Sequence, residues 1–196
     1  MRYDSDIHRR RSIRLSGYDY SRAGAYFVTV CVHGRDCILG TIAQGEMAPT
    51  VLGTIVAACW RDFPSHHPHI QLDAFVVMPN HVHGIIIITH HPHDRRGEAF
   101  AKDASPLPRP PQPQPATRPN GTRPGSLAAM VQNFKSVSAR RINASRGTPG
   151  APVWQHNYYE RVVRNDDELD RIRQYIADNP AQWAMDRENP MAGAQM

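Results

Sequence analysis

The sequence predicts an α+β fold of the ferredoxin-like class, in which a βαββαβ antiparallel sheet is followed by one extra C-terminal helix. Two observations predict it. Segments rich in β-branched and aromatic residues alternate with segments of helical apolar spacing, in the order that this fold requires. Two of the strand-like segments, 70–78 and 81–89, are separated only by a break at Pro79 and Asn80, which is typical of an antiparallel pair.

The first half of the chain supplies one strand and one helix before that pair. Residues 25–32 are β-branched and aromatic without a breaker, so they predict the first strand. The glycine-punctuated stretch 34–49 has room for a short hairpin. Residues 51–63 carry apolar side chains at helical spacing, and Pro64 ends this predicted helix.

The second half completes the pattern. Residues 126–143 form an apolar stripe at helical spacing, with Ser126 as a plausible N-cap, and 153–163 predict the fourth strand. The extra helix begins after Asn165, with Glu168 three residues later as in a capping box, and Pro180 ends it.

Composition divides the chain into four parts. Residues 1–22 are arginine-rich and predict a basic N-terminal arm. The main domain spans 23–183, interrupted by a proline-rich insertion at 90–125 that lacks the periodicity of a packed segment. Residues 184–196 are interpreted as a C-terminal tail.

Net charge and cysteine content indicate what kind of partner the protein binds and in which compartment it functions. The 196 residues carry a formal net charge of +5, which favours a polyanion such as nucleic acid without proving one. The three cysteines form no C-x-x-C pair, which argues against a disulfide framework or a zinc site and favours a reducing cytoplasm. No apolar run is long enough to cross a membrane, and residues 1–14 lack the apolar core of a signal peptide.

Two imidazoles on one strand are the first candidate site. His81 and His83 are two residues apart, so on a strand they leave the same face of the sheet, close enough to hold one cation. Taken alone, this H-x-H pattern is weak, because exposed or hydrogen-bonded histidines have the same spacing. Val82, Gly84, Ile86 and Ile88 are predicted to point the other way, into the core.

A tyrosine on the last helix is the second candidate. Tyr175 and Asn179 share a helical face, and Arg171 lies one turn earlier. The histidines and the Asn179 amide oxygen would make an open divalent site that polarises a phosphate, and Tyr175 would attack the phosphorus. The mixed nitrogen and oxygen ligands suit magnesium or manganese. This chemistry joins the tyrosine to the 5′ phosphate, so a later 3′ hydroxyl can reverse the step.

Several short motifs together resemble the REP-associated tyrosine transposases, within the wider single-tyrosine, His-hydrophobic-His superfamily. They are FVVMPNHVHG at 75–84, FKS at 134–136, VWQ at 153–155, NYYE at 157–160, and YI with NP at 175–180, with GYDY at 17–20 and GAYFVT at 24–29. The likeness covers about residues 9–89 and 126–183, and the insertion departs from it.

The resemblance implies a ferredoxin-like transposase domain whose C-terminal helix carries the nucleophile Tyr175. It implies His81, His83 and Asn179 as ligands of Mg²⁺ or Mn²⁺. It also implies single-stranded DNA with hairpins, the repetitive palindromic elements, as substrate, in DNA transposition or recombination. Members include monomers and domain-exchanged homodimers, so both states stay open.

Basic residues outside this centre are candidate DNA contacts. Surface solvation is the competing explanation for each of them, since phosphate contacts carry no distinctive spacing. The candidates are Arg9, Arg10, Arg14, Lys135, Arg140, Arg141, Arg161, Arg164 and Arg171.

Other interpretations remain open. Tyr158 and Tyr159 compete with Tyr175 for the role of nucleophile, although neither has an amide one helical turn away. The histidines at 66, 67 and 69 and at 90, 91 and 93 could form a second metal site, but exposed loop histidines explain them better. Trp154 and Trp183 are core or docking residues, with base stacking as the alternative. A non-catalytic nucleic-acid-binding ferredoxin-like module is the main rival function, and a replication or mobilisation nuclease is a second.

Overall fold

The structure, a computed structural model, describes residues 18–89, 122 and 124–192. The elements follow in the predicted order. The strands are β1 (Gly24–Cys31), β2 (Gly40–Ala43), β3 (Glu46–Pro49), β4 (Ile70–Val77), β5 (His81–Ile88) and β6 (Tyr159–Val163). The helices are α1 (Val51–Arg61), α2 (Phe63–His66), α3 (Leu127–Arg146) and α4 (Asp166–Asp178), with 3₁₀ turns at His33–Arg35 and Trp183–Met185.

Four strands form one antiparallel sheet in the order β4-β5-β1-β6, which is the strand order of a ferredoxin-like fold and confirms the predicted class. The central pair runs in register along its whole length, from Gly24 opposite Ile88 to Cys31 opposite His81. Strands β2 and β3 pair separately, as the hairpin expected within 34–49. The histidines therefore begin a central strand, at the end of the sheet where β1 finishes.

One face of the sheet packs on α1 and α3 and contains the larger core. Val82 and Ile86 are fully buried there together with Trp60 and Phe134, as the alternation along β5 predicted. Gly84 also faces this side, where a Cβ atom would lie 2.4 Å from Trp60 Cζ2. The absence of a side chain at Gly84 lets the Trp60 indole approach the strand closely.

The opposite face carries α4 and a smaller core. Ile172 and Ile176 pack there against Phe27 and Ile85. The helix begins with the predicted cap, because the Asn165 side chain accepts a hydrogen bond from the Glu168 amide at 2.8 Å. Glu168 accepts at 2.9 Å from the Arg164 amide, one residue before the Asn165 amide that a capping box uses. This packing brings the C-terminal half of α4 over the strand that carries the histidines.

The fourth strand is shorter than the predicted 153–163. Thr29 pairs with Tyr159, and Val32 forms an isolated bridge with Trp154. Four residues, 155–158, thus lie opposite only two on β1, so this stretch bulges out of the ladder and β6 begins at Tyr159. The Lys135 ammonium group donates to the carbonyl groups of Gln155 and His156, which fixes the bulge.

Residues on both sides of the predicted main domain, 23–183, contact that domain. Within the predicted arm, Tyr18 and Tyr20 pack against the larger core, and the Tyr20 carbonyl accepts from the Leu127 amide. Within the predicted tail, Asp186 and Glu188 contact the site described below. Residues 1–17 of the arm, nearly all of the insertion at 90–125 and residues 193–196 lie outside the described residues. No described helix has the length and apolarity to cross a membrane.

Candidate functional site

His81 and His83 leave the α4 face of β5 side by side. Both imidazoles are buried, with 0% and 3% exposure, and their Nε2 atoms lie 3.0 Å apart. Two ligands bound about 2.1 Å from one octahedral ion at a right angle would lie roughly 3.0 Å apart. The separation of the two ring nitrogens therefore fits a shared divalent ion.

The far sides of the two rings are held by hydrogen bonds. Asn80 Oδ1 can only accept, so His81 Nδ1, at 2.9 Å, carries a proton and leaves its Nε2 lone pair free. Thr29 Oγ1 lies 2.8 Å from His83 Nδ1 and can accept in the same way. This is the arrangement by which metal-binding histidines are oriented in proteins.

Burial keeps both imidazoles neutral. It lowers the pKa of His81 to about 4, with a smaller opposing effect of the Glu188 carboxylate. Burial, followed by the neighbouring His81, also lowers the pKa of His83 well below the ordinary value for histidine. Neutral imidazoles are the form that binds metal ions, so both rings have the required protonation state at neutral pH.

A carboxylate from beyond α4 joins the pair. Asp186 Oδ2 lies 3.8 Å from His81 Nε2, and ligand atoms of Asp186, His81 and His83 all lie within 4.8 Å of one another. Because His81 is neutral, this contact is not an ion pair at neutral pH. Asp186 Oδ2 is buried and accepts no hydrogen bond from the described residues, as expected of an oxygen that faces a cation. These three side chains could hold a metal ion.

Tyr175 lies beside the same centre. Its hydroxyl oxygen is 3.3 Å from His83 Nε2, while 44% of the residue remains exposed to solvent. The ring packs edge-on against Phe27. Burial and the Asp186 carboxylate raise the pKa of the Tyr175 phenol, and a hydrogen bond with Asn179 opposes them. The phenol is therefore protonated at neutral pH and reachable by a ligand.

Asn179, the predicted third ligand, lies next to these groups. It is 3% exposed, and its Oδ1 has no hydrogen-bond partner among the described residues. Burial raises the pKa of both Tyr175 and Asp186 above the ordinary values, and the Asn179 side chain opposes this rise in each case. A metal-binding role for Asn179 remains a prediction.

The rival tyrosines face different ways. Tyr158 packs against the larger core on the far side of the sheet. Tyr159 lies on the site face, with its ring 6.0 Å from that of Phe27. Trp183, also on the site face, lies with its ring 6.1 Å from that of His81.

The candidate DNA contacts divide into two groups. Lys135 donates inward, Arg141 pairs with Asp62, and Arg161 pairs with Glu168. Arg140, Arg164 and Arg171 are exposed and form no ion pair with the described residues. Arg9, Arg10 and Arg14 lie outside the described residues.

Sequence reasoning missed two residues of the centre. Asp186 lies in a segment without periodicity or motif, 103 residues beyond His83, and nothing in its spacing indicated a ligand. The sequence pattern assigns Asn80 only to the break between two strands. Its position directly before the first histidine was the available indication that its side chain could reach the imidazole.

The fold defines a structural class. The structure is similar to that of the REP-associated tyrosine transposase bound to a REP hairpin, with a TM-score of 0.52 and 16% sequence identity, over 87% of this chain and 73% of that one. The resemblance stated from the sequence motifs is thus confirmed at the level of the fold: the chain has a REP-associated tyrosine transposase fold.

Within that class, a sequence relative identifies the family. An uncharacterised protein of Haemophilus influenzae Rd is 35% identical over 188 residues, which is 95% of this chain and 96% of the relative. The chain belongs to the same family as that protein. No protein-family model matches the chain.

Proposed function

We propose that this protein is a metal-dependent single-strand DNA endonuclease and strand transferase that acts through Tyr175. The observation that carries the proposal is the 3.3 Å distance between the Tyr175 hydroxyl and His83 Nε2, within one chain and beside the paired imidazoles. The fold likeness to a transposase bound to a REP hairpin supports hairpin-containing DNA as the substrate. The exposed half of Tyr175 leaves room for a phosphate to approach.

The proposed reaction exchanges one phosphodiester bond for another. The Tyr175 oxygen forms a bond to phosphorus as the bond from phosphorus to the 3′ oxygen breaks. The proton that the phenol gives up is matched by the proton that the leaving 3′ oxygen takes up. The product is a 5′-phosphotyrosine and a free 3′ hydroxyl, and attack by a 3′ hydroxyl reverses the step and transfers a strand.

Mg²⁺ or Mn²⁺ is the proposed metal, as the family resemblance implies, and a carboxylate with two imidazoles would leave coordination positions for phosphate oxygens. His81, His83 and Asp186 would hold it, with Asn179 adjacent. When bound, it would polarise the scissile phosphate and stabilise negative charge on the leaving oxygen. Phe27 packs against the Tyr175 ring and orients it toward His83.

The decisive experiment is to incubate the protein with a 3′-labelled single-stranded hairpin and Mn²⁺, so that the label stays with the fragment joined to the protein, and to resolve the products on a denaturing gel. The wild type should yield a slowly migrating protein–DNA adduct, which protease treatment should convert to a faster-migrating species. Tyr175→Phe should lose the adduct by at least a hundredfold, because the nucleophilic oxygen is removed while the ring packing is kept.

Two matched variants sharpen the result. Tyr158→Phe and Tyr159→Phe remove the rival hydroxyls and should both retain the adduct. Hydrolysis without an adduct, or full activity of Tyr175→Phe, would contradict the proposal. Hairpin binding with no cleavage under any metal would favour the non-catalytic binding module instead.

A further inference from the structure

We propose that residues 183–189, here called the C-terminal latch, form part of the metal centre: Asp186 supplies its third protein ligand, and bound metal in turn holds the latch against the sheet. The inference rests on the metal centre of the proposed function and adds a coupling between metal binding and the segment that follows α4. It places the third ligand beyond the tyrosine helix, in addition to or instead of Asn179 on that helix.

The Asp186 carboxylate is oriented for this role by its own segment. Its Oδ1 accepts a hydrogen bond from the Glu188 amide at 2.6 Å, so that oxygen is satisfied locally. Its Oδ2 faces His81 Nε2 at 3.8 Å and has no hydrogen-bond partner among the described residues. One oxygen is therefore held by the backbone while the other remains available to an ion shared with the imidazoles.

Asn80 joins the latch to the first histidine. Its Nδ2 donates to the Glu188 carbonyl at 2.7 Å and to the Arg35 carbonyl at 3.1 Å, while its Oδ1 contacts His81 Nδ1. The side chain is completely buried. One amide thus fixes both the orientation of a ligand ring and the position of the segment that carries Asp186.

A second contact holds the latch from outside the centre. Arg35 Nη2 lies 3.1 Å from Glu188 Oε2, and the Cys31 thiol also lies 3.6 Å from that carboxylate. Arg35, Glu188 and Cys31 are not among the side chains that could bind the metal. Weakening this contact would loosen the latch without removing a ligand.

The coupling follows from charge. A buried carboxylate beside two neutral imidazoles is unfavourable unless a cation lies between them. If docking of the latch raises metal affinity by some factor, bound metal must raise the equilibrium constant for docking by the same factor, because the coupling is reciprocal. A variant that weakens metal binding should therefore also reduce the protection that metal gives to the latch.

The first measurement is Mn²⁺ affinity, from calorimetry and from the loss of the free-ion signal in electron paramagnetic resonance, without DNA. Asp186→Asn should bind Mn²⁺ about 10- to 100-fold more weakly than the wild type, and Glu188→Gln about 3- to 10-fold more weakly. Asp167→Asn, an exposed carboxylate at the start of α4, is the control for loss of one negative charge and should change affinity less than twofold. Circular dichroism would verify that each variant is folded.

The second measurement is trypsin cleavage after Arg187, an exposed residue in the middle of the latch, followed by mass spectrometry. Saturating Mn²⁺ should slow this cleavage at least fivefold in the wild type and leave it unchanged in Asp186→Asn. Cleavage after Arg146, exposed at the end of α3, is the internal reference and should not respond to metal.

The outcomes separate this inference from the proposed function. Wild-type affinity in Asp186→Asn together with loss of binding in Asn179→Ala would overturn the latch in favour of the helix residue, while leaving the Tyr175 adduct experiment untouched. Metal-independent cleavage after Arg187 would overturn the coupling. Absence of any Mn²⁺ binding by the wild type would overturn both the latch and the metal centre on which it rests.

Discussion

Lys135 illustrates how packing decides what a basic side chain does. Its ammonium group is half-buried and donates to two carbonyl groups in the bulge before β6, and burial lowers its pKa below the ordinary value for lysine. Arg171, by contrast, is exposed on the helix that carries Tyr175, one turn before it. Both were candidate DNA contacts, yet only the arginine has a charge directed to solvent.

The two residues should therefore respond in opposite ways to substitution. Lys135→Met should lower the free energy of unfolding by about 1–2 kcal/mol, because two carbonyl groups, one of them part-buried and the other exposed, lose a charged donor. It should leave the salt dependence of single-strand binding unchanged. Arg171→Ala should lower the slope of log affinity against log salt by about 0.7 and change stability by less than about 0.5 kcal/mol.

Urea unfolding measures the free energy of unfolding. Fluorescence anisotropy at several salt concentrations measures the salt dependence of single-strand binding. A Lys135→Met protein of normal stability but reduced salt slope would show that this lysine contacts phosphate after all.

At the scale of elements, the docking of α4 on the sheet decides where Tyr175 lies. Arg173 on the helix pairs with Asp73 on β4, with Nη2 2.6 Å from Oδ2 and Nε 2.9 Å from Oδ1. This bidentate contact lies on the same helix as the tyrosine, half a turn before it. Hydrogen bonds from Arg173 lower the pKa of the Asp73 carboxyl below its ordinary value, although partial burial opposes them.

The sign of this shift predicts a pH dependence. A carboxyl whose pKa is lower in the folded state contributes stability that is complete above the unfolded pKa, about 4, and is lost as pH falls through the folded pKa. Asp73→Asn should therefore destabilise the protein by about 1 kcal/mol at pH 7, a modest value because Arg173 is 43% exposed. The difference from the wild type should shrink below pH 4.

Urea titrations at pH 7 and pH 3 would measure this change. Asp170→Asn removes the other partner of Arg173 and serves as the control. Because the Asp170 side chain is 72% exposed, its expected effect is below about 0.5 kcal/mol. A constant difference between Asp73→Asn and the wild type across this pH range would show that the ion pair is not its cause.

Most elements could be predicted because local patterns determine them. The cap at Asn165 and the alternation along β5 are such patterns, and both have the predicted structure. The beginning of β6 differs from the prediction, because the strand-like residues on both sides of 155–157 outweighed this Gln-His-Asn stretch, which has no β-branched residue and includes an Asn, a residue type depleted in strands. What interrupts the ladder there is a hydrogen bond from Lys135, twenty residues earlier in the chain.

The site shows the same division between local and tertiary information. The spacing of His81 and His83 along a strand, and of Tyr175 and Asn179 along a helix, predicted which groups share a face. Asp186 could not be predicted in this way, because only the fold of the segment after α4 brings it to the imidazoles. A candidate ligand that reaches a site only through the tertiary structure has no sequence pattern of its own.

At the scale of the whole molecule, the tyrosine and the histidines meet within one chain. Since Tyr175 reaches His83 directly, a single chain contains every described residue of the proposed centre. This arrangement predicts that cleavage does not require exchange of α4 between two copies.

Mixing two inactive variants tests this expectation. Tyr175→Phe and His83→Ala, each without adduct formation, should remain inactive when combined, because neither chain can complete its own centre. Recovery of about a quarter to a half of the wild-type adduct would instead show that α4 is exchanged between chains. Light scattering on the same mixture would report the number of chains present.

The direction of β5 has a consequence for how freely this protein can vary. The strand starts at His81 and finishes at Ile88, opposite Gly24, and Leu127 at the start of α3 is tied to Tyr20 just before β1. The chain therefore enters and leaves the long proline-rich connection at the end of the sheet farthest from the imidazoles. At about 3.3 Å per residue, the end of β5 lies roughly 16 Å from His83. Relatives could lengthen, shorten or replace that connection while their reactive groups stay in place.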